Sequence, residues 1–227
     1  MASDKPVFLI TGASTGIGAE TARQAAEAGY RLVLAARSED KLQALAGELP
    51  EAIAVRCDVT EWDDQQALVR RALDEYGRLD VAFANAGFGG PRGFGEGDPE
   101  QWKAMVLTNV YGAALTIRAT REALIETKGH LLLTGSVAGR RAIQGSLYSA
   151  TKWAVTGMGE SARQEFNDTG VRVTVIEPGM VDTPFFDNRP KDALEADDVA
   201  RIVVFTVQQP PHVDVNEVLV RPTAQSG

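Results

Sequence analysis

The sequence predicts an α/β fold, a doubly wound parallel sheet of about seven strands with helices on both faces, built as a single domain over residues 1–227. Three observations predict it. Short apolar runs rich in β-branched residues alternate with helical periodicity from end to end, the pattern of strands covered on both faces and joined by crossovers. Glycine-rich and polar motifs follow directly on the apolar runs, at the carboxyl ends of strands where open sheets hold ligands. A chain of 227 residues that is 44% apolar supplies one substantial core, with no repeat, low-complexity segment or linker to divide it.

Taken in order, Val7–Ile10 is the first strand. Thr11-Gly12-Ala13-Ser14-Thr15-Gly16-Ile17-Gly18 follows, then a helix with Ile17, Thr21, Ala22, Ala25 and Ala28 on one stripe and Gly29 as its stop. A strand, a glycine turn and a helix start together make an anion site, because backbone N–H groups and the positive helix end face one point. The spacing Gly-x-x-x-Gly-x-Gly departs from the commoner Gly-x-Gly-x-x-Gly. Leu32–Ala35 is the second strand, and Ala36-Arg37-Ser38 follows it. A carboxylate there would accept the ribose hydroxyls of NAD. An arginine stands there instead, and a guanidinium matches a 2′-phosphate, so the pattern favours NADP(H) over NAD(H). The competing reading is a solvated arginine ahead of a helix, Glu39–Leu49, that Ser38 caps.

Ile53–Val55 is the third strand; Asp58, just beyond it, suits either the adenine amine or a cap on the next helix. That helix carries Trp62, Val69, Ala72, Leu73 and Tyr76 and stops at Gly77, with both aromatics read as core. Val81–Ala84 is the fourth strand and ends in Asn85-Ala86-Gly87. The glycine-rich stretch Phe88–Asp98 reads as a mobile loop beside the site. In the next helix Asn109 falls on the apolar stripe with Met105 and Val110, so a buried amide needs partners, structural or functional. His130–Thr134 is the fifth strand, Val171–Ile176 the sixth, a helix covers Val199–Val207, and Val218–Val220 is the last strand.

Between the fifth and sixth strands runs Ser136 to Lys152. Tyr148 and Lys152 share one face of a helix that begins near Leu147. A phenol holds its proton to about pH 10, and an ammonium beside it lowers that value. Such a pair can move a proton as a general acid or base. Tyr-x-x-x-Lys alone also occurs on surface helices, so its weight comes from its neighbours.

Composition excludes several classes. No run of about 18 apolar residues exists to span a membrane. The start Met-Ala-Ser-Asp-Lys-Pro lacks the apolar segment of a signal peptide. The one cysteine, Cys57, cannot form an internal disulfide, which fits a reducing, cytoplasmic setting. A net charge of −8 argues against a nucleic-acid partner. His130 and His212 have no ligand spacing, so no metal is expected.

Together, Thr11-Gly12-x-x-x-Gly16-x-Gly18, Asn85-Ala86-Gly87, Asn109, Ser136, Tyr148-x-x-x-Lys152 and Pro178-Gly179 resemble the short-chain dehydrogenase/reductase family across essentially the whole chain. The resemblance implies a Rossmann-type fold and a carbonyl–alcohol oxidoreductase. It makes Tyr148 the proton donor, Lys152 the group that lowers its pKa and binds the nicotinamide ribose, Ser136 the partner of the carbonyl oxygen, and Asn109 the anchor of a relay water. Gly12, Ser14, Thr15, Gly16, Ile17 and Gly18 would form the pyrophosphate turn. Asp58 and Val59 would flank the adenine, and Asn85, Ala86 and Gly87 would line the ribose. Pro178, Gly179, Val181 and Thr183 would sit at the nicotinamide. Many NADP-preferring members also carry a basic residue where this chain has Thr15, so phosphate selection rests on Arg37. The stretch from Thr183 to the last helix is short for a substrate lid, which implies an open pocket. The tail Gln208–Val218 resembles the branch acting on 3-hydroxy acids and serine. Arg140 or Arg141 would then meet a substrate carboxylate, unless both are solvated loop residues. The resemblance also implies homo-dimers or homo-tetramers built on the helices carrying Asn109 and Tyr148. A 3-oxoacyl-carrier reductase and a non-catalytic NADP-sensing regulator are the alternatives.

Overall fold

The apolar runs become the strands of one parallel sheet in the computed structural model, which describes residues 5–186 and 190–225. In chain order, β1 (Val7–Thr11), α1 (Gly16–Glu27), β2 (Arg31–Ala36), α2 (Glu39–Glu48), β3 (Ala52–Arg56), α3 (Trp62–Tyr76) and β4 (Val81–Ala84) form the first half. The second half has α4 (Pro99–Val106), a π-helical turn (Leu107–Gly112), α5 (Ala113–Thr127), β5 (His130–Thr134), a 3-10 turn (Val137–Gly139), α6 (Leu147–Glu165) and β6 (Arg172–Pro178). It closes with β7 (Val181–Asp182), β8 (Leu194–Glu195), α7 (Ala196–Val207) and β9 (Glu217–Val220). The sheet order is β3-β2-β1-β4-β5-β6-β9, so the winding reverses between β1 and β4 and opens a crevice at their carboxyl ends.

Strand alternation sorts the core into two layers. Val7 and Leu9 pack with α3, α5 and α6 on one face; Phe8 and Ile10 pack with α1, α2 and α7 on the other. All five residues of β1 are buried, as a central strand covered on both sides requires.

Three features differ from the sequence expectation. β6 runs on through Pro178, and the two-residue pair β7–β8, too short for any periodicity to reveal, packs beside it. The helix carrying Asn109 is not uniformly α: residues 107–112 form the π-helical turn, a widening that recurs at functional sites. The glycine-rich loop is pinned. Gly93 N donates to Gly145 O at 2.9 Å, and Phe94 packs edge-on against Trp102, with ring centroids 5.9 Å apart.

On α3 the stripe is also more polar than its apolar spacing suggests. Leu73 is 37% exposed, while Gln65 is wholly buried. Gln65 Nε2 donates to Val59 O (3.0 Å), Gly112 O (3.3 Å) and Thr116 Oγ1 (2.9 Å), tying the end of the π-helical turn to the segment after β3. Trp62 and Tyr76 are half-buried, each beneath an arginine, Arg118 and Arg31 respectively. Gln65→Ala is expected to lower unfolding free energy by about 1–3 kcal/mol in urea titrations, because it strips a donor from buried carbonyls.

Candidate active site

A cavity of about 750 Å³ runs along the carboxyl ends of the strands. Its floor at one end is the glycine turn. Gly12 has φ +65° and Gly16 φ +56°, a region open to glycine and costly for other residues. Thr15 occupies the N-cap of α1 in an extended conformation, makes no side-chain cap and is followed by no acidic residue in the first turn. The first N–H groups of α1 are therefore left for an anion, which is the donor set a pyrophosphate requires. Gly12, Ser14, Thr15, Gly16 and Ile17 line the cavity. Gly18 does not reach it. A Cβ there would press into Gly12 O and stand 2.8 Å from Asn85 Nδ2, so this glycine lets helix and turn close together beneath the site.

Asn85 ties three strands. Its Nδ2 donates to Thr11 O (3.0 Å) and its Oδ1 accepts from Thr134 Oγ1 (3.0 Å), while its backbone N donates to Thr11 Oγ1 (3.0 Å). Ala86 and Gly87 line the cavity beside it.

Arg37 is exposed at the far end of the cavity, beside Ser38. Ser38 holds the N-cap position of α2 but makes no side-chain cap bond, and both residues, exposed, line the cavity. Asp58 does not cap α3, whose N-cap is Glu61. Its Oδ1 accepts from Thr60 N (3.0 Å) and Thr60 Oγ1 (2.8 Å). Burial pushes the Asp58 carboxyl up, but the two Thr60 bonds and the charges of Arg37 and Arg56 bring it below its ordinary value. Asp58 thus presents a carboxylate at the cavity wall next to Val59.

At the other end stand Ser136, Tyr148 and Lys152. The 3-10 turn after β5 is held to α6 by Ser149, whose Oγ donates to Ala138 O (2.6 Å) and Arg141 O (3.1 Å). Ser136 Oγ accepts from Ala138 N (3.1 Å) and its hydroxyl donates to Pro178 O (3.4 Å), on the cavity wall it shares with Tyr148. Lys152 Nζ donates to Thr134 O (2.7 Å) and lies 5.6 Å from the centre of the Tyr148 ring. The expected lowering of the phenol is not what the geometry gives. Burial pushes Tyr148 up to about 12, with the Ser136 hydroxyl opposing, and burial brings Lys152 down to about 8. Both groups have lost solvent, which disfavours the charged form of each.

Asn109 is 2% exposed and lies behind the cavity wall. Its Nδ2 donates to Phe88 O (2.9 Å) and Thr151 Oγ1 (3.1 Å), and its Oδ1 accepts from Phe88 N (3.0 Å). With every polar atom committed to protein, the side chain is a clamp on the segment after β4, and its neighbour Thr108 is the residue that reaches the cavity. Pro178, Gly179, Val181 and Thr183 line the wall opposite, where Thr183 touches the position a Gly16 Cβ would take, at 3.2 Å.

Of the two arginines, Arg140 is excluded as a carboxylate partner for substrate. Its Nε donates to both oxygens of Glu177 (2.8 and 2.7 Å), and its guanidinium pairs with Glu217 of β9. Glu177 is fully buried, and nothing in the local sequence marks it as Arg140's partner. Arg141 is exposed and lines the cavity. Phe88 and Arg92, from the loop expected beside the site, line the cavity, and so do Met180, Phe185 and Phe186, which no motif singled out. Apart from the aromatic runs themselves, no periodic signal identifies them.

A family model described as short chain dehydrogenase matches residues 6–194. An uncharacterized oxidoreductase of Staphylococcus saprophyticus is 37% identical over 226 residues, covering 95% of this chain and 97% of that one. The chain belongs to the short-chain dehydrogenase/reductase family. Among solved structures, this oxidoreductase is similar to an alcohol dehydrogenase from the archaeon Thermococcus sibiricus complexed with 5-hydroxy-NADP (32% identity, TM-score 0.93, 99% of each chain covered). It is also similar to the closed form of a serine dehydrogenase complexed with NADP+ (28% identity, TM-score 0.90, covering 97% of this chain and 96% of that one). Other similar structures hold NADH or NAD.

Arg140→Ala leaves Glu177 buried without its cation. Burial already holds that carboxyl above its ordinary value despite the arginine, so its proton is bound more tightly folded than unfolded. Stability on that account is present in acid and lost as pH rises. Thermal unfolding of Arg140→Ala should therefore show a deficit of about 3 kcal/mol near pH 8 and a smaller one near pH 5.

Proposed function

We propose that the chain is an NADP(H)-dependent oxidoreductase interconverting a carbonyl and a secondary alcohol on a small molecule. The observation that carries this is the meeting of Ser136, Tyr148 and Lys152 at one end of a crevice whose other end offers uncapped helix N–H groups and Arg37. The cofactor supplies the hydride. Ser136 Oγ donates a hydrogen bond to the substrate carbonyl oxygen and holds it against Tyr148. As that oxygen gains electron density, the Tyr148 phenol transfers its proton to it, and the product is the alcohol. The phenolate left behind is stabilised by the Ser136 hydroxyl and by the Lys152 ammonium, which Thr134 O fixes in place. In oxidation the same phenolate takes the proton back. Asn109 positions the wall at Phe88.

A phenol raised to about 12 retains its proton throughout the neutral range, which suits it to donate. Arg37, with the hydroxyl of Ser38 beside it, supports a 2′-phosphate and hence NADP(H). Arg141 remains as a cation for a substrate carboxylate, which supports 3-hydroxy acids among the substrates. Tyr111 and Trp153, 47% and 50% exposed on the helices that carry Asn109 and Tyr148, support assembly of copies through that face.

NADPH and NADH consumption against a carbonyl panel tests the reading. Tyr148→Phe should reduce turnover by about a hundred- to ten-thousand-fold while NADPH still binds. Arg37→Ala should raise KM for NADPH by about ten- to a hundred-fold and leave KM for NADH nearly unchanged, since a charge-assisted bond is lost. Equal effects on both cofactors would refute the NADP preference. Because the acid form of Tyr148 persists, the reduction rate should stay level through neutral pH, whereas alcohol oxidation should climb with pH as phenolate becomes available.

A further inference from the structure

At the substrate end, Phe185 sits edge-on against the ring of Tyr148, with centroids 5.3 Å apart, and Phe186 packs against Phe185 at 5.0 Å. Both phenylalanines are exposed, Phe185 by 40% and Phe186 by 38%, yet they line the cavity. Large apolar rings left open beside a reacting group mark a binding surface. The tip of the Phe185 ring points into Gly89. A Cβ on that glycine would overlap Phe185 Cζ and stand 3.0 Å from Cε1. The backbone of Gly89 is not left-handed, so any residue could adopt it. What glycine supplies there is room for the ring. Phe185 is therefore held between the segment after β4 and the catalytic phenol, with an open face turned to the cavity.

Resting on the function proposed above, we infer that Phe185, seated in the slot at Gly89, is a specificity-determining residue that selects carbonyl substrates bearing an aromatic substituent next to the carbonyl. A carbonyl oxygen bonded to Ser136 and Tyr148 brings its substituent against the Tyr148–Phe185–Phe186 row. A flat ring there continues the edge-to-face packing, which favours it over an alkyl group of equal carbon count beyond the area both bury.

The test is NADPH-dependent kcat/KM for an aryl methyl ketone and an alkyl methyl ketone of equal carbon number, in wild type and three variants. Wild type should prefer the aryl ketone. Phe185→Ala and Phe185→Leu should lower the aryl-to-alkyl ratio by about ten-fold, the loss lying in KM. Gly89→Ala should do the same with Phe185 still present, because the added methyl displaces a movable ring tip and leaves the backbone intact. Phe185→Tyr should restore the ratio. Equal losses on both ketones, a preserved ratio in Phe185→Leu, or no aryl preference in wild type would each overturn the inference while leaving the reductase intact. Absence of turnover on every carbonyl, with NADPH still bound, would overturn both.

Discussion

The site depends on one amide. Asn85 reaches from β4 to Thr11 O of β1 and to Thr134 Oγ1 of β5, across the point where the winding reverses. The β1–β4 register ends at Ile10 and Phe83, one residue short of Thr11. The Asn85 side chain replaces that missing ladder. On one side it fixes the glycine turn by bonding its carbonyls. On the other it fixes Thr134, whose own carbonyl holds Lys152. The glycine turn at one end of the cavity and Lys152 at the other are thus referenced to the same side chain.

Around that anchor, burial sets the ionisation of the Tyr148–Lys152 pair. Tyr148 and Lys152 are drawn away from their ordinary values in opposite directions, the phenol up and the ammonium down, because each would be charged where water is scarce. The arrangement favours the neutral acid and leaves a cation nearby only weakly solvated, so charge that develops on the phenol meets little competition from solvent. The same scarcity explains why Glu177 needs Arg140, and why that arginine is unavailable to substrate.

Strands, the glycine turn and the Tyr148–Lys152 pair are legible in the sequence because each is a local pattern: a short apolar run, a glycine spacing, two residues one helical turn apart. Arg37 is legible because its place after β2 fixes what it can touch. What stays hidden is long-range pairing. Arg140 finds Glu177 thirty-seven residues on, and Asn109 finds Phe88 twenty-one residues back. Spacing announced neither: it left Arg140 open between a substrate cation and a solvated loop residue, and it showed only that the Asn109 amide would need partners. The slot at Gly89 is hidden for the same reason, since its occupant comes from beyond β7. The pKa directions at Tyr148 and Lys152 are set by burial, which a residue pattern does not report.

The π-helical turn at residues 107–112 has a consequence for how this protein can vary. A π turn is an α-helix carrying one extra residue, so its geometry is a matter of length more than of composition. Substitutions on its exposed side leave the residue count intact. Deleting one residue would let α4 and α5 fuse into a regular helix and rotate one half against the other by about 100°. Asn109 would then leave Phe88, and Gly112 O would leave Gln65. The exposed positions of the segment can drift in identity while its number of residues is fixed, an indel constraint written into a helix rather than a loop.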